Sequence, residues 1–336
     1  MEINRSNFVQ QNYGTKNQEP SKVTPSILST LGGVVLGGVA NTGINSVSKK
    51  PNKHIMNRIT DICAENKDSF EHVTSAVQNA LKDKGVLEKG VKIVDTTTEA
   101  GAREMEQAIK EELSRNRLLK GTPNMSKDIV GSMMTGMFQN GENAAYLPNT
   151  KTVVLSGDKL GLTVFHEAGH AMNANASKIG KALQACRGAS LLSIPIGLIA
   201  IWKRPKMEGE EPKGAIDKAT TFVKKHAGKL TFATFLPMLI EEGMASIKGC
   251  NMAKTVSPEI FKATCKVNGL AYLTYLGMAV AAGVGVAVAR NIRDKIAINS
   301  MKKKQAAAQE QFERVQAQQM QQRYNELRIP ITYDFN

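Results

Sequence analysis

Apolar positions recur at helical spacing in the first half of the chain. Phe70, Val73, Val77 and Leu81 fall on one face of a 3.6-residue period and predict a helix. "VKIVD", residues 91–95, is a short β-branched run and predicts a strand. "EAGAREMEQAIKEELSRNRLLKG" predicts a second helix, closed by Gly121. "TKTVVLSG", ending at Gly157, predicts a second strand, and a helix carrying "TVFHEAGHAMN" follows it directly. The pattern is that of a mainly α chain with a small β-sheet, an α+β class.

In the second half the periodic pattern gives way to continuous apolar stretches. Residues 188–202, "GASLLSIPIGLIAIW", carry no charge, but 15 residues are few for a bilayer span, so an interfacial or re-entrant helix is expected. "LTFATFLPMLI" follows at 230–240 and runs into "EEGMAS". Residues 267–289 are 23 in a row without a charge and predict a transmembrane helix. Gly277, Ala281 and Gly285 recur along it every fourth residue, a packing stripe for another membrane helix. A further uncharged segment, 26–48, is a candidate membrane segment with Gly33 and Gly37 in G-x-x-x-G spacing; its Gly, Ser and Asn content equally fits a flexible or interfacial stretch.

The organisation expected is a polar leader (1–25), the candidate membrane segment (26–48) and a soluble α-rich region (49–140). A core (141–250) with the apolar insertion 188–202 follows, then the transmembrane helix (267–289) and a basic, Gln-rich helical tail (290–336). Phe312, Val315, Met320, Tyr324 and Leu327 give the tail an irregular apolar stripe. That stripe suits a membrane surface, a helix partner or second copy, or simply a solvated helix.

Charge changes this picture in two ways. The 336 residues hold 44 Lys+Arg against 30 Asp+Glu, a net charge of +14. Aromatic residues are only 5%, and no zinc-finger or RNP-like motif occurs, so no nucleic-acid partner is expected. Arg290, Arg293, Lys295 and Lys302 to Lys304 cluster just after 289, which argues for a cytoplasmic C-terminal side. The four cysteines, Cys63, Cys186, Cys250 and Cys265, form no C-x-x-C and read as free thiols in a reducing compartment.

The candidate chemistry lies in HEAGH. On a helix, His166 and His170 sit one turn apart on one face and can aim both imidazoles at one ion. Zinc, at roughly 2.0–2.1 Å from each nitrogen, fits that spacing. Glu167 is one position round, placed to act as general base on a zinc-activated water, the H-E-x-x-H chemistry of metallopeptidases. Residues inside and beside the motif are uncharged, and Ala168 and Gly169 are small enough to let another helix approach. A catalytic zinc needs a third protein ligand. Asn173 and Ala176 stand where a metzincin would have Gly and His, which leaves His226 and the acidic pair Glu241 and Glu242 as candidates.

The order of strand, HExxH, apolar segments and then E-x-x-A resembles the HtpX-type membrane metallopeptidases and the related CAAX prenyl proteases. The resemblance covers about Asn143 to Ser246. It implies a zincin-like metallopeptidase core with associated transmembrane helices and one Zn2+ per chain. Glu242, followed by Ala245, takes the ligand role, with Glu241 as fallback; Ser246 stands where the family has Asp. It also implies that Asn143 and Ala144 precede the substrate-binding edge strand, here Thr150 to Ser156, with Val153 and Val154 gripping an extended peptide. The function expected is a membrane-bound zinc endopeptidase acting on a peptide or protein substrate, multi-pass in the lipid bilayer, with its active site on the cytoplasmic side. The competing expectations are a non-catalytic zinc-binding membrane protein of the same fold and a basic membrane-surface scaffold without metal.

Overall fold

The computed structural model describes residues 53–116 and 124–327; the polar leader and the candidate membrane segment 26–48 lie outside them. The first part comprises α1 (53–64), α2 (Phe70–Asp83), β1 (Lys92–Asp95), α3 (Glu99–Arg115), α4 (Asn124–Gln139), β2 (Ala145–Leu147) and β3 (Thr152–Leu155). The α2 periodicity does what it predicts: Val73, Val77 and Leu81 are buried. Thr98 caps α3 by accepting the Gly101 N–H, leaving one fewer unpaired donor at the helix start.

The sheet has the order β1-β3-β2, with β1 parallel and β2 antiparallel to β3. Alternate β3 side chains enter two different cores. Val153 and Leu155 pack with Val73, Val77 and Phe165, whereas Val154 packs with Met105, Ile109 and Phe138. Helices therefore cover both faces of this strand. The expectation that Val153 and Val154 lie on a substrate-binding edge strand is thereby corrected. They are fully buried in the central strand, and both its edges are already paired. Four consecutive buried positions, Thr152–Leu155, are the pattern of a strand covered on both faces, not of an open edge.

The second part is helical: α5 (Val164–Ala176), α6 (Lys178–Ala185), α7 (Ser193–Trp202), α8 (Gly214–Lys225), α9 (Ala227–Thr234), α10 (Leu236–Ala253) and α11 (Pro258–Leu327). Among the described residues, three stretches are long and apolar enough to cross a membrane: Lys178–Trp202, Ala227–Ala253 and Pro258–Arg323. The expected transmembrane helix 267–289 lies inside the third. The insertion 188–202 is the end of a longer helical stretch, not an isolated short helix. Residues 227–253 were not expected as a span because Lys229, Glu241, Glu242 and Lys248 interrupt their apolarity.

The contact stripe on α11 is displaced from the expected one. A Cβ on Gly277 would meet nothing within 4 Å, whereas one on Gly283 would lie 2.9 Å from the Gly228 carbonyl oxygen. Reciprocally, a Cβ on Gly228 would lie 2.7 Å from the Gly283 oxygen, so α9 and α11 meet backbone to backbone there. Beyond Met301 the tail continues α11, and residues 302–323 are all exposed, Phe312, Val315 and Met320 included.

Candidate metal centre

The centre is built where α5 crosses α10. Phe165, Ala168 and Ala171 anchor α5 in the core, while His166, Glu167 and His170 are buried on its other faces. The helices approach closely because small residues meet at the crossing. A Cβ on Gly169 would lie 2.3 Å from the Ala245 oxygen, and one on Gly249 would lie 2.8 Å from the Phe165 oxygen. Ala245 thus marks the contact that brings Glu241 and Glu242 to the histidines.

Three ligand atoms converge. His166 Nε2 and His170 Nε2 are 3.0 Å apart. Glu242 Oε2 is 3.1 Å from the first and 3.4 Å from the second. Tetrahedral zinc with bonds of about 2.0–2.1 Å holds its ligand atoms roughly 3.3 Å apart, so the spacing matches that ion. The opposite ring nitrogens are occupied: His170 Nδ1 faces Glu241 Oε1 at 2.9 Å, and His166 Nδ1 faces Ser246 Oγ at 3.2 Å. A proton on His170 Nδ1, donated to the carboxylate, leaves the Nε2 lone pair for a metal. Asn268 donates to the Ser246 carbonyl at 3.1 Å, fastening that turn of α10 to α11.

Electrostatics point the same way. Glu241 and Glu242 have no exposed surface, and Arg187 donates to both, at 2.8 Å to Glu241 Oε2 and 2.5 Å to Glu242 Oε1. Counted formally, Glu167, Glu241 and Glu242 against Arg187 leave two negative charges, which one divalent cation neutralises. Burial opposes a charged His170, yet its hydrogen bonds to Glu241 and Glu242 outweigh that, and its imidazole is pushed up to about 10. The surrounding carboxylates demand positive charge at this point, and a proton and a metal ion compete to supply it. The residues present therefore fit a metal ion. Two overlapping groupings, His166 with Glu167 and His170, and His170 with Glu241 and Glu242, each keep their ligand atoms within 4.8 Å of one another.

Glu167 is held differently. Its Oε2 accepts the Tyr146 N–H at 2.7 Å, so the main chain of β2 reaches across to the α5 carboxylate. The outer edge of β2, not β3, faces the centre. Asn143 and Ala144, just before β2, line a cavity of about 210 Å³ together with His166, Glu167, Asn268 and Tyr275. Of the residues singled out from the sequence, His166, Glu167, His170, Glu241, Glu242, Asn143 and Ala144 are brought together. Val153 and Val154 are not. His226 instead packs against Phe222, with ring centroids 4.7 Å apart.

Sequence reasoning missed Arg187, Asn268 and Tyr275. Arg187 stands directly before the uncharged stretch 188–202, where a single basic residue carries no local signal, and the other two lie inside a stretch that reads as a uniform span. A polar Asn in such a stretch is itself a signal, because it requires a partner there. Compared with protein-family models, with curated proteins and with solved structures, the chain matches none.

Proposed function

We propose that the chain is a membrane-bound zinc endopeptidase, with zinc held by His166, His170 and Glu242. One observation carries this reading: two imidazole nitrogens and a carboxylate oxygen converge at 3.0–3.4 Å in a buried site where three carboxylates gather around one guanidinium. The ion would polarise a water and the substrate carbonyl. Glu241 and Ser246 hold the two imidazoles in register through Nδ1. Arg187 bridges Glu241 and Glu242 and fixes both carboxylates against rotation.

Glu167 is the general base in this reading. It accepts the proton of the attacking water on its carboxylate and returns it to the amine nitrogen as the C–N bond breaks. The Tyr146 N–H tethers one of its oxygens and sets the carboxylate's orientation. A peptide lies extended along the outer edge of β2, beside Asn143 and Ala144, and places one side chain in the cavity. The three apolar helices make the protein multi-pass in the bilayer.

The test compares wild type with Glu167→Gln, purified in detergent, for zinc content and for cleavage of a disordered protein. Both forms should carry one zinc per chain, and the variant should cleave on the order of 10²-fold more slowly or less. Equal cleavage would remove Glu167 from the mechanism. Zinc without cleavage in wild type would leave a metal-binding membrane protein, and wild type free of zinc would overturn the whole reading.

A further inference from the structure

The three apolar helices share two polar levels. At one level lie Arg187, Glu242 and Tyr275, the residues around the metal centre. At the other lie Trp202, Lys224 and Arg290, with Ala227 just inside. Fifteen positions separate Arg187 from Trp202 and Tyr275 from Arg290; along α11, an uninterrupted α-helix, that is a rise of about 22 Å at 1.5 Å per residue.

Contacts fix the second level. Lys224 donates to the Ala200 and Lys203 carbonyls at 2.9 and 2.7 Å and pairs with Asp294 at 2.6 Å. Arg290 donates to the Lys224 and Lys225 carbonyls, and Ala200, Ala227 and Val286 pack together just inside. Between the levels, Phe235, Met238, Leu239 and Ala279 form an apolar layer. Facing outward, Val280, Val284, Val288, Ile292 and Ile296 continue a row that begins at Leu273, all exposed. The uncharged stretch 267–289 that carries the first part of this row is 23 residues, about 34 Å of helix and close to the roughly 30 Å of a bilayer's hydrocarbon core; Ile292 and Ile296 lie beyond it, among Arg290, Arg293 and Lys295.

We infer that the metal centre opens at the membrane face opposite the C-terminal tail, the non-cytoplasmic face. The inference rests on reading the three helices as spans and the site as a peptidase centre. Two sequence-based expectations, a cytoplasmic tail and a cytoplasmic active site, cannot both hold for helices that join the two levels. Charge decides between them. Residues 203–225 and 290–304 carry 13 Lys and Arg, whereas 178–187 and 243–266, at the site end, carry 7. One of those 7, Arg187, is neutralised by two glutamates. The positive-inside bias therefore retains the basic end in the cytoplasm. The substrates are then extended peptide segments presented at the bilayer surface on the other side.

The test labels thiols with a membrane-impermeant maleimide on intact, sealed cells, before and after permeabilisation. Cys186 is already an exposed thiol at the site end. Cys250 and Cys265, which are partly exposed, are replaced by Ser throughout, so that each chain reports one accessible position. Glu208→Cys and Gln318→Cys, each made with Cys186→Ser, report the α7–α8 loop and the tail. The expected result is Cys186 labelled in intact cells and the other two labelled only after permeabilisation. Labelling of all three under the same condition would overturn the opposite-face arrangement. The reverse pattern, Cys186 protected and the other two labelled, would overturn the orientation. Neither outcome depends on zinc or cleavage, so failure here is separable from failure of the peptidase reading.

Discussion

His170 gives Nδ1 to Glu241 at 2.9 Å and turns Nε2 towards Glu242, so two adjacent glutamates serve one imidazole from opposite sides. Their expected roles differ accordingly. Glu242→Ala removes the oxygen proposed as a zinc ligand and should abolish stoichiometric zinc binding. Glu241→Gln retains the shape but weakens the orienting acceptor, and should lower zinc affinity about 10–100-fold. Chelator competition on the purified variants measures both. Identical losses for the two would show that they share the ligand role.

Gly169 and Ala245 set the second prediction. A side chain at Gly169 would enter the α10 backbone 2.3 Å from an oxygen, and backbone cannot swing aside as a side-chain tip does. Gly169→Ala should therefore separate the helices that hold the ligands, costing about 1–3 kcal/mol or more. Zinc occupancy should fall with it. Gly136, inside α4 with nothing within 4 Å of an added Cβ, is the control: Gly136→Ala should leave zinc content unchanged and raise stability by up to about 1 kcal/mol, the opposite sign.

Local pattern made much of this legible in the sequence. The α2 stripe, β1, β3 and the HEAGH helix are written in short-range periodicity, and His166, Glu167 and His170 follow from one helical turn. The downstream pair was legible as acid at the end of an apolar run, which is costly unless paired. Which glutamate faces the metal position depends on the rotation of α10 against α5, which the Gly169–Ala245 and Gly249–Phe165 contacts set together. The place of β3 in the sheet was less accessible. Its β-branched run says strand, but the three-residue β2 is too short to announce the edge it forms. Arg187 acts across 55 residues, a distance that no local pattern encodes.

Glu112 gives a prediction with a pH dependence. It is buried and accepts from Asn149 N at 2.8 Å, Thr150 N at 3.0 Å and Asn149 Nδ2 at 2.9 Å, so it fixes the β2–β3 turn. Glu112→Ala would leave those donors without their acceptor and should cost about 1–3 kcal/mol. Burial raises its carboxyl above the ordinary 4.5 in spite of these bonds. Ionising it therefore costs the folded state more than the unfolded one. Its contribution is greatest below the unfolded value and falls as pH rises through the raised value. Denaturant unfolding between pH 4 and 7 should show that fall in wild type and a flatter profile in Glu112→Gln. A profile unchanged by the substitution would assign the slope to other groups.

Lys224 carries the last prediction. It is 6% exposed, yet its ammonium has three partners: the Asp294 carboxylate at 2.6 Å and the Ala200 and Lys203 carbonyls. These come from α11 and from the C-terminal end of α7, so one side chain ties two apolar helices at their basic end. Lys224→Met retains the apolar stem but deletes the charge, leaving Asp294 with its positive partner gone. Asp294 is about a quarter exposed, so stranding its charge should cost less than the roughly 3–5 kcal/mol of a fully buried pair. Asp294→Asn added to Lys224→Met removes the stranded charge and should recover part of that loss, which a melting series in one detergent would measure. The metal centre lies about 22 Å along the helices, so zinc affinity in the single variant should stay near wild type wherever the protein remains folded. A loss of zinc at temperatures well below melting would instead show that the knot positions Arg187 and Glu242 through the length of the bundle.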